Sequence, residues 1–370
     1  MTNSLPEYLQ GLLPPLQSCQ DVTLQEGDLI IHAPGFEDRT MDIANRIKSS
    51  FNAKAILIDY LPNDPRNRLS DVRNALADMG ISFTDNDVLE YHRFKPDNFE
   101  DRLKNKLVNT GALRTIIDIS TMSKLLIMLI LNVCNKLSLQ IVILYSEAKT
   151  YGPSSEEFED AKSKEQIHQP TFQIYTGIHG VVRTNSLASV AMQGQPTAAI
   201  VFMSFNDALT QVLLNTVYPS RLLLINGRPP VHAWREKATA WIHDQVRREW
   251  EEDNPVTNDV NEQVAMPERV TSTLYYQETV ALLLDLYWQL STTYRILLAP
   301  AGSKLQAVGC FLAKALHPDI HIEYPSPEAF FPKYSSEIGD RWVIDFGKLS
   351  TLLHAISSAE TKEYLEIQTE

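Results

Sequence analysis

Two turns in this chain set hydroxyls beside a lysine where one apolar run ends and another begins. "DISTMSK" at residues 118–124 follows Thr115, Ile116 and Ile117 and precedes Leu125–Leu131. "APAGSK" at 299–304 lies between "RILL" and "LQAVGCFLAKAL". Ser120, Thr121, Ser123 and Lys124 in the first turn, and Gly302, Ser303 and Lys304 in the second, are the residue types an anion site needs. The first N–H groups of a helix lack backbone partners and carry the positive end of its dipole, so nearby hydroxyls either cap them or join them in holding a phosphate. A lysine in the first helical turn opposes that dipole and calls for an anion or an outward, solvated pose. Glycine at 302 allows close backbone approach.

A second group of candidates lies at "PGFEDR" (34–39) and "SFND" (204–207). Gly35 makes a tight turn, and Phe36 offers a ring on which a base could stack. Glu37 and Asp38 either cap a helix start or accept hydrogen bonds from ribose hydroxyls or an exocyclic amine. Ser204 and Asn206 occupy the matching stretch of the second half. In "NGRPPVHAWRE" (226–236), Arg228, with His232 and Arg235, forms an anion clamp, unless Pro229 and Pro230 merely stop a strand. The dinucleotide fingerprint G-x-G-x-x-G, the phosphate loop G-x-x-x-x-G-K-[ST] and the nucleophile elbow G-x-S-x-G are all absent, so no cofactor is identified. The nine histidines show no paired metal spacing; no metal is expected.

These candidates must be positioned by strands and helices. From residue 28 onward short apolar runs alternate with helical patterns: "DLIIHAP" (28–34), "KAILIDY" (54–60), "VLEYHRF" (88–94), "RTIIDIS" (114–120) and "QIVILYSEA" (140–148) read as strands, with helices over 39–51, 68–80, 98–109 and 124–137. The polar stretch 149–170 reads as an exposed connection. The rhythm then returns, with strands at 198–205, 221–229, 295–301 and 320–326, an acidic loop around 253–263, and "RWVIDFG" (341–347) as a last edge strand. The expected fold is α/β, each half a mostly parallel sheet with helices on both faces. Phe36 and Phe205, Asp38 and Asp207, and Ser123-Lys124 and Ser303-Lys304 line up between halves, which points to tandem duplication, the alternative being that strand-turn-helix chemistry makes any two βαβ units look similar. The expected division is 1–150, a first unit with an N-terminal extension; 151–195, a connector that offers a first strand to the second unit; and 196–370, the second unit itself.

The net charge of −13 over 370 residues disfavours long duplex DNA and anionic lipid, both polyanions. The three cysteines are too few for a disulfide framework, and Cys134 and Cys310 fall in apolar helical runs. "KLLIMLILNVCNKL" is too short to span a bilayer and reads as a buried core helix. A cytoplasmic protein without membrane association is expected.

Strand, hydroxyl-rich turn ending in lysine, then apolar helix resembles the ligand loop of CARF-type domains, the Rossmann-like sensors of cyclic oligonucleotides in prokaryotic immunity. Asp118, Thr121, Ser123 and Lys124 fit that plan, and Gly302, Ser303 and Lys304 fit its end. "STM" stands where the family has a glycine pair, and "PA" precedes a single glycine in the second copy. The tandem arrangement resembles SAVED-type sensors, which fuse two CARF-like units. The resemblance implies two tandem Rossmann-like units, a small anionic nucleotide or cyclic oligonucleotide ligand, and a regulatory subunit of anti-phage defence that signals to a separate effector protein or forms a homo-oligomer. Ring-nuclease-like cleavage of the nucleotide at the same place, and a structural scaffold role in a defence complex, are the alternatives.

Overall fold

The computed structural model describes residues 5–49, 53–166, 175–254, 269–331 and 334–366. The chain divides into two compact units, the first formed by Glu7–Gly152 with the C-terminal stretch, the second by Pro153–Phe331. Both are α/β and Rossmann-like.

In the first unit the order along the chain is β1 (Gln17–Ser18), β2 (Val22–Thr23), β3 (Leu29–His32), α1 (Asp42–Arg46), β4 (Ile47–Ser49), β5 (Lys54–Leu61), α2 (Leu69–Asp78), β6 (Val88–His92), α3 (Phe99–Thr110), β7 (Arg114–Asp118), α4 (Lys124–Lys136) and β8 (Gln140–Tyr151). The second unit contributes α5 (Ser155–Ser163), β9 (Tyr175–Val182), β10 (Thr197–Phe202), α6 (Ala208–Val217), β11 (Arg221–Arg228), α7 (Trp234–Asp253), β12 (Arg269–Ser272), α8 (Tyr276–Leu290), β13 (Arg295–Ala299), α9 (Lys304–Leu316), β14 (His321–Ile322) and β15 (Tyr324–Phe330). The chain then closes with β16 (Ser335–Lys348) and α10 (Leu349–Thr361).

The first sheet runs β1-β16-β8-β7-β3-β5-β6 and the second β12-β11-β10-β13-β14. Stripped of β1 and β16, the first has the order of the second: third, second, first, fourth, fifth. The pairs β3–β5, β3–β7, β5–β6 and β7–β8 are parallel, as are all four pairs of the second sheet. Strand order reverses between β3 and β7, and between β10 and β13. Right-handed crossovers therefore send the helices before and after each reversal to opposite faces.

Sequence pattern explains the layers. In the first unit Ile30, Leu57, Ile116 and Val142 face Ile43 of α1 and Val72 and Leu76 of α2 in one core. Their strand neighbours Ile31, Ile56, Ile117 and Ile143 are equally buried on the other side, which is why these strands read as continuous apolar runs. Helix α4 buries nine residues, and α9 ten. Cys134 and Cys310 lie inside these helices, wholly buried, and burial pushes the Cys134 thiol up to about 12. Helices α8 and α9 approach so closely that a Cβ at Gly309 would meet Thr279 at 2.7 Å. No described helix is long and apolar enough to cross a membrane.

Four expectations are corrected. "RWVIDFG" does not close the second unit: it is part of β16, antiparallel to β8 of the first, so the second unit ends near 331 rather than 370. The helix expected over 39–51 is only α1, preceded by a 3-10 turn at Asp38–Met41 and followed by β4. The single strand expected at 320–326 divides into β14 and β15, the latter pairing antiparallel with β9. The short strand β12 was not expected. The acidic loop lies largely outside the described residues.

Candidate functional site

Both lysine turns stand at the C-terminal edge of their sheets, beside the reversal of strand order, where open α/β sheets leave a crevice. Ser123 and Ser303 are N-caps, with the Ser123 hydroxyl accepting from the Leu126 amide at 3.3 Å and the Ser303 hydroxyl from the Gln306 amide at 3.1 Å. Lys124 and Lys304 are the first residues of α4 and α9. The two turns thus occupy equivalent places, but their surroundings differ.

In the first unit the loops after β3 and β7 meet. The Thr121 hydroxyl donates to the Ala33 carbonyl at 2.7 Å and lies 3.1 Å from the Thr40 hydroxyl, which in turn accepts from the Gly35 amide at 2.8 Å. A Cβ at Gly35 would stand 3.2 Å from that of Thr121, so the two loops pack closely at this glycine and a side chain there would push Thr121 by a few tenths of an ångström. Tyr60, near the end of β5, accepts from the Ser123 amide at 2.9 Å and so fixes the start of α4. Ser123, Lys124 and Phe36 remain half-buried while Gly35, Ser120 and Thr121 are buried. Burial pushes the Lys124 ammonium down to about 8. The Arg66 guanidinium lies over the Phe36 ring, 4.5 Å from its centroid.

Beneath the turn lies a layer of buried polar groups. His32 and Asp118, last residues of β3 and β7, stand side by side in register with His32 Nδ1 3.2 Å from Asp118 Oδ2. His32 Nε2 is buried with no hydrogen-bond partner among the described residues. Burial alone would raise the Asp118 carboxyl, but His32 and the amide and hydroxyl of Ser120 hold it below the ordinary carboxylate range. The Ser120 hydroxyl also accepts from the Ser146 amide at 2.9 Å. Ser120 and Thr121 therefore do not cap helix donors; they tie the turn downward. Glu37 is likewise committed, accepting from Arg39 Nη2 at 2.7 Å and from the Ser335 hydroxyl, and is not available to ribose. Asp38 is exposed and accepts from the Glu337 amide at 2.9 Å.

The second unit's turn is filled from within. Gln306 accepts from the Ser303 amide at 2.8 Å and donates to the Thr271 hydroxyl at 3.0 Å, while the Ser303 hydroxyl donates to the Thr273 carbonyl at 2.7 Å. A Cβ at Gly302 would strike Gln306 Oε1, so this glycine leaves room for the glutamine in its present pose. Arg228 is no anion clamp: its Nη2 donates to both oxygens of Glu278, at 2.9 and 2.7 Å. Ser204 donates to the Asn206 carbonyl at 2.6 Å, and Asn206 Oδ1 accepts from the Ala208 amide at 2.8 Å, both closing the turn into α6. Phe205, matching Phe36, is covered by Arg235 at 4.7 Å and packs on Trp234 and on Phe158 of α5. At the strand ends Val201 and Ala299 stand in register where the first unit has His32 and Asp118.

Tyr60, His32 and Ser146 were missed in the sequence. The only signal is that each is a polar group interrupting, or ending, an apolar strand run.

No family model matches the chain, and no curated protein matches it. Among solved structures, the UDP-GlcNAc 2-epimerase from Neisseria meningitidis bound to UDP-GlcNAc aligns over 94% of this chain and 93% of that one, at 9% identity and a TM-score of 0.20. A likeness of that size carries no argument about site or activity.

Proposed function

We propose that the protein is a nucleotide-binding sensor or regulatory subunit whose ligand site is the Lys124 turn of the first unit. The observation that carries this reading is a lysine held half-buried at the positive end of a core helix, beside the strand-order reversal, at a cost to its own charged state. An anion arriving there meets the ammonium, the helix N-terminus and a low-dielectric wall together. Phe36 on the facing loop, with the Arg66 guanidinium stacked over its ring, suits a planar base only through that planar cation, and Lys124 with the α4 amides suits a phosphate. The short-motif resemblance to CARF- and SAVED-type loops supports a cyclic oligonucleotide and a separate effector in prokaryotic defence. Turnover is less well supported, because the nearest acid–base pair, His32 and Asp118, is buried under the turn rather than facing a ligand.

The test is mass spectrometry of small molecules carried through purification, on wild type and on Lys124→Met. A phosphate-bearing, base-containing compound released by the wild type and missing from the variant is expected. Equal release from both would remove the turn from consideration.

A further inference from the structure

Both loops of the first unit's site are wired to one strand, β16. The first route starts at Ser120, whose hydroxyl accepts from the Ser146 amide at 2.9 Å. The Ser146 hydroxyl donates to Asp42 Oδ2 at 2.6 Å, and Asp42 receives Arg341 of β16 at 2.9 Å (Nε) and 2.5 Å (Nη2). The second route starts in the loop after β3, where Glu37 accepts from the Ser335 hydroxyl and Asp38 from the Glu337 amide. Arg46 closes the circuit by donating to the Trp342 carbonyl at 3.1 Å and to the Ser146 hydroxyl at 3.4 Å.

Most members of this network are buried, Asp42 and Ser120 completely. A hydrogen bond withdrawn inside a low-dielectric layer leaves a polar or charged group unsatisfied, so its neighbours must rearrange rather than let it stand. The far end is able to answer. The pairing of β16 with β8 slips register between Ile338 and Arg341, and Glu337 holds a positive φ of 57°, so the strand is irregular where the two loops grip it. Among the described residues, the second unit's five-stranded sheet has no counterpart to this strand.

We propose that β16 reads the state of the Lys124 turn: a ligand that shifts Ser120 or the Glu37–Asp38 loop changes how firmly β16 is held. The ligand half of this statement rests on the anion-binding reading above; the wiring half does not.

Amide hydrogen exchange on the full chain separates the two halves. In Ser120→Ala without any ligand, amides of 335–348 should exchange about tenfold faster, the loss expected for one buried hydrogen bond. Ile30→Val, which loosens the same sheet without touching the network, and Ser303→Ala in the other unit should leave them unchanged. Unchanged exchange in Ser120→Ala, or equal loosening in Ile30→Val, overturns the proposal. Inorganic pyrophosphate then serves as probe, with binding followed by calorimetry. Binding that slows exchange at 335–348 supports both halves, and binding that leaves β16 unaffected overturns the relay. If pyrophosphate does not bind while Ser120→Ala still loosens β16 alone, the wiring stands and the anion-binding reading fails.

Discussion

The two units share strand order, N-capping serine and first-turn lysine, yet the strand-end pair beneath the turn is His32 and Asp118 in one and Val201 and Ala299 in the other. Under the first turn lie His32, Asp118, Asp42, Arg39 and Arg46, all buried. Under the second, the register positions are Val201 and Ala299. Above the second turn, Gln306, Glu278 and the aromatic packing of Phe158 on Phe205 satisfy from within the groups that a ligand would otherwise engage. Strand order and the Ser-Lys turn are common to both units, and among the described residues the first unit sets its turn over a buried layer of charged groups. The difference teaches that one Ser-Lys turn can stand over a buried charged pair in one unit and over an apolar pair in the other.

Breaking the charged layer should have the largest effect. Asp42→Ala takes from the Ser146 hydroxyl its acceptor and from Arg341 its carboxylate, leaving Arg341 with Gln20 and partial exposure; the cost should fall near the lower end of the about 3–5 kcal/mol for truncating one partner of a fully buried pair. Urea denaturation should show that loss, and a loss below about 1 kcal/mol would mean the layer contributes little. In the second unit, Gln306→Leu removes the bonds to Ser303 and Thr271 and should cost about 1–3 kcal/mol. The same denaturation experiment checks it, and a neutral result would erase the contrast between a filled turn and an open one.

A smaller effect has the opposite sign. Lys124 titrates at about 8, below its ordinary 10.5, so its protonated form costs the native state stability. That cost is present in full below pH 8, shrinks as pH rises from 8 to 10.5, and vanishes above. Lys124→Met should therefore be more stable than wild type at pH 7, by about 1 kcal/mol after solvent screening. Thermal melts at pH 7 and pH 10 should show the gap closing. A variant less stable than wild type at pH 7 would make this lysine a structural residue.

Much of this was legible in the sequence. Alternating apolar runs and helical patterns gave the parallel core of both units, and the repeated Ser-Lys pair located equivalent turns. What was not legible depends on distant partners. "RWVIDFG" has the composition of an edge strand, but nothing local says that it pairs with residues some two hundred positions earlier instead of the strand just before it. Pro325 and Pro327 sit inside β15, where only an edge pairing with β9 tolerates them. Glu37 and Arg228 read as ligand groups because a lone carboxylate or guanidinium in a loop does not reveal that Arg39 or Glu278 already neutralises it. Ser120 and Thr121 read as caps because the chain does not show that their hydroxyls reach down to Asp118 and Ala33.

The asymmetry between the turns is decided by calorimetric titration of inorganic pyrophosphate into wild type, Lys124→Ala and Lys304→Ala. Losing a charge-assisted hydrogen bond to phosphate is worth roughly 1.5–3 kcal/mol, so Lys124→Ala should weaken binding about 10- to 150-fold. Lys304→Ala should change it less than about threefold, since its turn is closed by its own glutamine. Equal losses in both variants, or a loss confined to Lys304→Ala, would contradict a single responsive site in the first unit.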